Sequence, residues 1–123
     1  MLIKSNKKRN LIVLVNIFST SNNILINISD IYGKTLFVGS GGLLGIKGSR
    51  RSTSYAGEAL ANVLGKKLFT LGIKYIYIKL KGFGKGRYPS VKGFSTLGFN
   101  ILNISDVTSL PFNGCKSSKK RRV

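Results

Sequence analysis

The chain has 123 residues, 42% of them hydrophobic, which is enough apolar side chain for one compact core in the usual single-domain size range. Its 21 Lys and Arg against three acidic residues leave a net charge of +18, a self-repulsion that calls for a polyanionic partner. With no histidine and one cysteine, Cys115, the composition excludes an intrachain disulfide and any zinc site built on Cys/His spacing, and it leaves little for acid–base catalysis.

Residues 1–10 are polar and basic without a hydrophobic period, and read as an arm ahead of a single domain over 11–108. The start imitates a secretory signal, with cations followed by the apolar run Leu11 to Val15. That run is too short for a membrane span, is interrupted by Asn16, and is rich in β-branched residues, so a strand is expected instead. Neither a secretory signal nor an Arg-rich amphipathic import presequence is expected. Leu11 to Phe18 and Asn23 to Ser29 read as a hairpin across the polar cluster Ser19 to Asn22. In its second strand Ile24, Ile26 and Ile28 share one face, the period of two of a half-buried strand. Asp30 to Gly33 is a turn, and Lys34 to Gly39 a third strand.

From Ser40 the chain becomes a glycine-rich basic loop, GGLLGIKGSRR, before Ser52 or Thr53 caps a helix. Ala56, Ala59, Leu60, Val63, Leu64, Lys67, Leu68 and Leu71 recur at three and four along it, and Gly72 stops it. Ile73 to Lys81 is the next strand, with Ile76, Ile78 and Leu80 on one face and Tyr75, Tyr77, Lys79 and Lys81 on the other. A second glycine-rich basic loop, Gly82 to Tyr88, leads to a short helix with Pro89 at its first position, a Val91, Phe94, Leu97 stripe, and Gly98 at its end. Phe99 to Ile104 is a fifth strand, and 109–123 a basic extended tail. Helical crossovers generally join parallel strands, so the expected fold is α/β, a mixed five-stranded sheet with two helices.

The carboxylates read as structural: a turn bond for Asp30, a favourable helix-dipole charge for Glu58, a turn bond for Asp106. A two-metal nuclease would need several of them to converge, and is the rival from another class. Gly82, Gly84 and Gly86 lack the third glycine and the later acidic residue of a dinucleotide loop, and Gly41 to Gly48 lacks the Gly-Lys-Ser/Thr ending of a P-loop. What the two loops share is glycine interleaved with cations: Lys47, Arg50 and Arg51 in one, Lys85 and Arg87 in the other. Glycine lets backbone amides approach a phosphate, and each loop opens a helix whose free amides favour an anion, so both read as phosphate docks. The tail cluster Lys116, Lys119, Lys120, Arg121 and Arg122 is a third cationic element. Phe83, Tyr88 and Phe112, in loops, are candidates for base stacking. Tyr75 and Tyr77 read as packed, on the view that helices cover both faces of their strand. Cys115 reads as a small buried or contact thiol. A membrane surface fits poorly, because the long helix carries just Lys66 and Lys67.

The segments GSRRSTSYA (48–56), KGFGKGR (81–87) and NISDVTSLPFNGCKSSKKRRV (103–123) resemble, in order and spacing, the universal small-subunit ribosomal protein S-eleven family. The resemblance runs from about Leu11 to Val123. It implies ribonuclease-H-like topology, a place on the platform of the small ribosomal subunit near the messenger RNA exit path, contacts with small-subunit ribosomal RNA and with neighbouring platform proteins, and no enzymatic activity, small-molecule substrate, cofactor or metal. By motif match the RNA-facing positions are Lys47, Gly48, Ser49, Arg50, Arg51, Ser52 and Thr53; Gly84, Gly86 and Arg87; and Asn113, Gly114, Cys115, Lys116, Lys119, Lys120, Arg121 and Arg122. Lys85, a charge where family members often have none, is added to them as a phosphate contact. Family members usually carry proline where this chain has Phe83, Lys85, Ser117 and Ser118, and histidine where it has Phe112. The short N-terminus, the Lys-, Ile- and Asn-rich composition and the lack of an import signal suggest an organelle-encoded version, and the departures from the family's prolines favour mitochondrion over plastid or bacterial cytoplasm.

Overall fold

The computed structural model describes residues 12–110 and 112–122, with the Ser49 side chain outside the description, as is the basic arm expected at 1–10. Five strands form one sheet: β1 Ile12–Ser19, β2 Ile24–Asp30, β3 Thr35–Ser40, β4 Tyr75–Lys81 and β5 Asn100–Asp106. Their order is β3-β2-β1-β4-β5. β1, β2 and β3 are an antiparallel meander, whereas β4 runs parallel to β1 and β5 parallel to β4. The mixed α/β architecture is as the sequence led one to expect, and the strand order does not conflict with the topology the resemblance implies.

Alternation chooses the core face. Val13, Val15 and Ile17 of β1, Ile24, Ile26 and Ile28 of β2, and Ile76, Ile78 and Leu80 of β4 are all at most 3% exposed. The register lays them side by side, Val15 beside both Ile28 and Ile78. Each such side chain contributes on the order of 1.5–3 kcal/mol by leaving water.

Two helices, α1 (Ser54–Thr70) and α2 (Arg87–Thr96), cover that face. Thr53 caps α1, its hydroxyl accepting from the Ala56 amide at 3.3 Å, and the chain leaves the helix through Gly72. The buried stripe of α1 is rotated from the expected one. Gly57, Ala61 and Gly65 are buried along with Ala56, Leu60, Leu64 and Leu68, while Val63 is exposed. The cause is close contact with α2. A methyl on Gly57 would sit 2.6 Å from the Gly86 carbonyl oxygen and 2.8 Å from Ser90 Oγ, one on Gly93 would sit 2.8 Å from Ala61 Cβ, and one on Gly65 would strike Leu97. Small residues at every fourth position thus let the two backbones approach.

Two local expectations change. Pro89 is the third residue of α2 and not the first, because the helix already begins at Arg87; a proline is tolerated there since the first four helix amides have no intrahelical acceptor. Glu58 lies beyond the first turn of α1, where the dipole charge expected of it has faded.

Candidate nucleic-acid interface

One end of the domain gathers the charge. β1, β4 and β5 are parallel, so their C-terminal ends, Ser19, Lys81 and Asp106, lie along one edge of the sheet. The seam between α1 and α2 pairs Gly57 with Gly86 and Ser90, Ala61 with Gly93, and Gly65 with Leu97, an ascending order in both helices, so the helices are parallel to each other. Their starts are therefore adjacent, at the edge where open α/β sheets carry their ligand sites. Neither helix has an acidic residue in its first turn, and α2 has no side-chain cap. The positive ends of two helix dipoles add there.

The first loop is more ordered than a loop. Residues Gly41–Leu44 and Gly48–Ser52 form two short 3-10 turns, the first capped by Ser40, whose hydroxyl accepts from the Leu43 amide at 3.3 Å. Arg51 is a brace for this folded loop. Its Nε donates to the Ile46 carbonyl at 2.8 Å, and its guanidinium lies flat against Gly42, 3.3 Å from where a methyl would be. Lys47 and Arg50 are exposed, and Gly48, with φ +62°, lets the chain turn between them. Together with Gly45, Ile46, Thr53 and Tyr55 they line an open concavity of about 670 Å³. Tyr55, 74% exposed, is the residue the sequence reading missed. Its signal was its position between a basic loop and Ala56, the first buried residue of α1. Because Arg51 braces and Arg50 does not, Arg51→Ala should lower stability by about 1–2 kcal/mol in thermal unfolding, whereas Arg50→Ala should leave it within about 0.5 kcal/mol.

The glycines of the second loop lie close against the end of β1. A Cβ on Gly82 would run into the Ser19 carbonyl, and one on Gly84 into Ser19 Oγ and the Thr20 carbonyl. The Gly84 amide donates to that same Ser19 carbonyl at 3.1 Å. These glycines let the loop pack against the end of β1. Arg87 is equally committed: its guanidinium pairs with Asp106, donates to the Gly82 carbonyl at 3.2 Å, and stands 5.9 Å and 5.4 Å from the ring centres of Phe83 and Tyr88. Its side chain is only 13% exposed. Lys85 remains exposed at the tip.

Asp106 ties the root of the tail to this loop. It accepts from the Thr108 hydroxyl and from the Thr108 amide at 3.0 Å, and the same hydroxyl accepts from the Gly82 amide at 3.1 Å. Bonds from Thr108, then from Arg87, hold its carboxyl down at about 2 instead of 3.8. A depressed carboxylate stabilises the fold fully above its unfolded value, near 4, and loses that contribution as pH falls toward 2. The thermal midpoint should therefore drop between pH 4 and 2, a shallow step because the group is exposed, and Asp106→Asn should remove the step.

Beyond Leu110, residues 112–122 are exposed throughout, including Asn113, Gly114, Lys116, Lys119, Lys120, Arg121 and Arg122. Asn113 adopts φ 62° at the turn expected with Gly114. Cys115 is exposed, so of its two expected readings the buried one does not hold. Phe83, Tyr88 and Phe112 are 83%, 70% and 94% exposed. Ser52 and Thr53 are half-buried at the entry to α1, and Gly86 is buried under Ile24 and Gly57. Both helices lie on one face of the sheet, so the expectation that Tyr75 and Tyr77 are covered fails: they sit on the open face, Tyr75 exposed and Tyr77 half-buried.

The carboxylates do not converge. Asp30 caps the turn after β2, accepting from the Tyr32 and Lys34 amides at 2.9 Å. The register places it beside Val13 and Asp106 beside Leu80, itself beside Ile17, so the two lie at opposite ends of the sheet, about 13 Å apart along the strands alone. Among the described residues no three His, Cys, Asp or Glu side chains come together, and no helix is long and apolar enough to cross a membrane.

Residues 13–122 match the family model described as Ribosomal protein S11. The chain is 42% identical over 123 residues to the small ribosomal subunit protein uS11c of Cyanidium caldarium, covering 98% of this chain and 95% of that protein. It is 44% identical over 110 residues to uS11m of Prototheca wickerhamii and 42% identical over 110 to uS11 of Neisseria meningitidis, each covering 89% of this chain and 86% and 84% of those proteins. A family match over nearly all the described residues, and identity of 42–44% across most of each relative, mean that the chain belongs to the ribosomal protein S11 family, whose members are structural components of the ribosome and not enzymes.

Proposed function

We propose that this chain binds small-subunit ribosomal RNA through the end of the domain where the two helix starts, the first loop, the tip of the second loop and the root of the basic tail meet. Membership of the family supports the ribosomal role. The observation that carries the interface is the convergence itself: exposed Lys47, Arg50 and Lys85 beside two helix N-termini with no acidic residue in their first turns, with Asp30 at the far end of the sheet and Asp106 paired with Arg87. Helix amides and cations fix the protein on phosphate, and the exposed Tyr55, Phe83 and Tyr88 rings offer stacking surfaces to unpaired bases. Arg51, Arg87, Gly84 and Gly86 act one step behind, holding the loops that present those groups. The tail reaches along the RNA and orders on it.

The family resemblance supports a place on the platform, among other platform proteins and near the messenger exit path, in a mitochondrial ribosome. Relatives include plastid, mitochondrial and bacterial proteins; the composition favours an organelle, and the departures from the family's prolines at Phe83, Lys85, Ser117 and Ser118 favour the mitochondrion. Cosedimentation of the chain with small subunits on a sucrose gradient tests the assignment. With on the order of eight phosphates contacted, log affinity for helical RNA should fall against log salt with a slope of roughly −6 to −7 in a filter-binding titration. A slope near zero would refute it.

A further inference from the structure

The face of the sheet turned away from the helices carries its own pattern. The register sets Leu14 beside Tyr77, Asn16 between Asn27 and Lys79, and Phe18 between Leu25 and Lys81. Aromatic rings therefore occupy both ends of the face, Tyr75 and Tyr77 at one and Phe18 at the other, with a polar row across the middle. Phe18 and Tyr75 are each 37% exposed, and the Lys81 ammonium stands 5.5 Å from the Phe18 ring centre. Lys79 and Lys81 are exposed. None of the described acidic residues lies on this face: Asp30 is buried beside the core residue Val13, Glu58 is on α1, and Asp106 pairs with Arg87 on the helix side.

Charge selects among occupants. Residues 1–11 of the chain carry Lys4, Lys7, Lys8 and Arg9 and no acid, the tail is equally basic, and a second copy brings another +18. All three are repelled by this face, and a polyanion is drawn to it. Rings then select among polyanions. Tyr75 and Tyr77 project from the same face about 7 Å apart, the spacing of alternate strand residues, and each can carry one unstacked base. Lysines on the same strand reach the phosphates between them, while the amides of Asn16 and Asn27 can meet base edges. Helical RNA hides its bases from such a surface, so it suits single strands.

We propose that the open face of the sheet is a second RNA-binding surface, on which single-stranded nucleotides stack against Tyr75, Tyr77 and Phe18 with Lys79 and Lys81 on their phosphates. It rests on the RNA-binding reading but uses a different face from the loops and tail.

Full-length protein is titrated by fluorescence anisotropy with a labelled single-stranded RNA octamer and, separately, with an RNA hairpin duplex. Three variants are compared: Tyr75→Leu, which keeps apolar volume and removes the ring; Lys79→Gln with Lys81→Gln; and Lys47→Gln with Arg50→Gln in the first loop. Tyr75→Leu should weaken single-strand binding about fivefold or more, and the Lys79/Lys81 pair should reduce the single-strand salt slope by about 1.4, both with little change for the duplex. The loop pair should chiefly weaken the duplex. Single-strand binding unchanged in both sheet variants, or weakened no more than duplex binding, overturns the proposal. The lysines are exposed, so that arm stands even if Tyr75→Leu fails to fold. Loss of duplex binding in the loop pair alone would leave the loop reading intact while the sheet proposal fell; no effect of the loop pair would count against the loops instead. A photo-crosslinker at Tyr75 in assembled small subunits should yield a nucleotide adduct, and a peptide adduct would overturn the proposal in favour of a protein partner.

Discussion

Gly82→Ala should cost the domain about 3 kcal/mol or more, read as a large fall in the urea midpoint. Two penalties combine. Gly82 has φ +88°, where a side chain is strained by about 1–2 kcal/mol, and a Cβ there meets the Ser19 carbonyl, which is backbone at the end of a central strand and cannot turn aside. Gly98→Ala is the control: Gly98 has φ +95° but nothing within 4 Å of its Cβ position, so it should show the conformational penalty alone. The displaced loop would also lose the Gly82 bond to Thr108 and the Gly84 bond to Ser19. Had the glycine served chiefly to admit a phosphate, Gly82→Ala would weaken RNA binding and cost no more stability than Gly98→Ala. That result would overturn the packing role.

Ending the chain after Leu110 should do the reverse. Residues 112–122 are exposed, and the bonds that anchor the tail root involve Asp106 and Thr108, which remain, so the unfolding midpoint should stay within about 0.5 kcal/mol of the full chain. The truncation removes Lys116, Lys119, Lys120, Arg121 and Arg122. If each meets a phosphate, the salt slope should shrink by about 3.5–4.5, and affinity at 0.1 M salt should fall by about three orders of magnitude, less the cost of ordering the tail. An unchanged slope would show that the tail is a solvated run of charge.

The two variants separate what two similar-looking features do. Both glycine loops read alike along the chain, as glycines interleaved with cations. In the first loop Lys47 and Arg50 stand exposed around a concavity. In the second, Gly82, Gly84, Gly86 and Arg87 are held by Ser19, Ile24 and Asp106, and only Lys85 is free to reach outward among the cations of that loop. A contact between Gly82 and Ser19 spans more than sixty positions, and Arg87 finds Asp106 nineteen residues on. Composition at one position carries no trace of such a neighbour.

What the sequence determined by itself was everything that depends on neighbours within a turn or two. The strand alternation of Ile24, Ile26 and Ile28, the cap at Thr53, the stop at Gly72 and the exposed basic tail are all set by local periodicity and local backbone chemistry. The net charge of +18 fixed the sign of the partner. Tertiary structure decided the rest. It alone turned the buried stripe of α1 toward Gly57, Ala61 and Gly65, because only the approach of α2 makes small residues the ones to bury. It alone laid both helices on one face and left Tyr75 and Tyr77 on the other. And it alone brought two helix starts, separated by more than thirty residues of chain, to the same edge of the sheet, because parallel strands joined by crossovers must return each helix to the end where its strand finished.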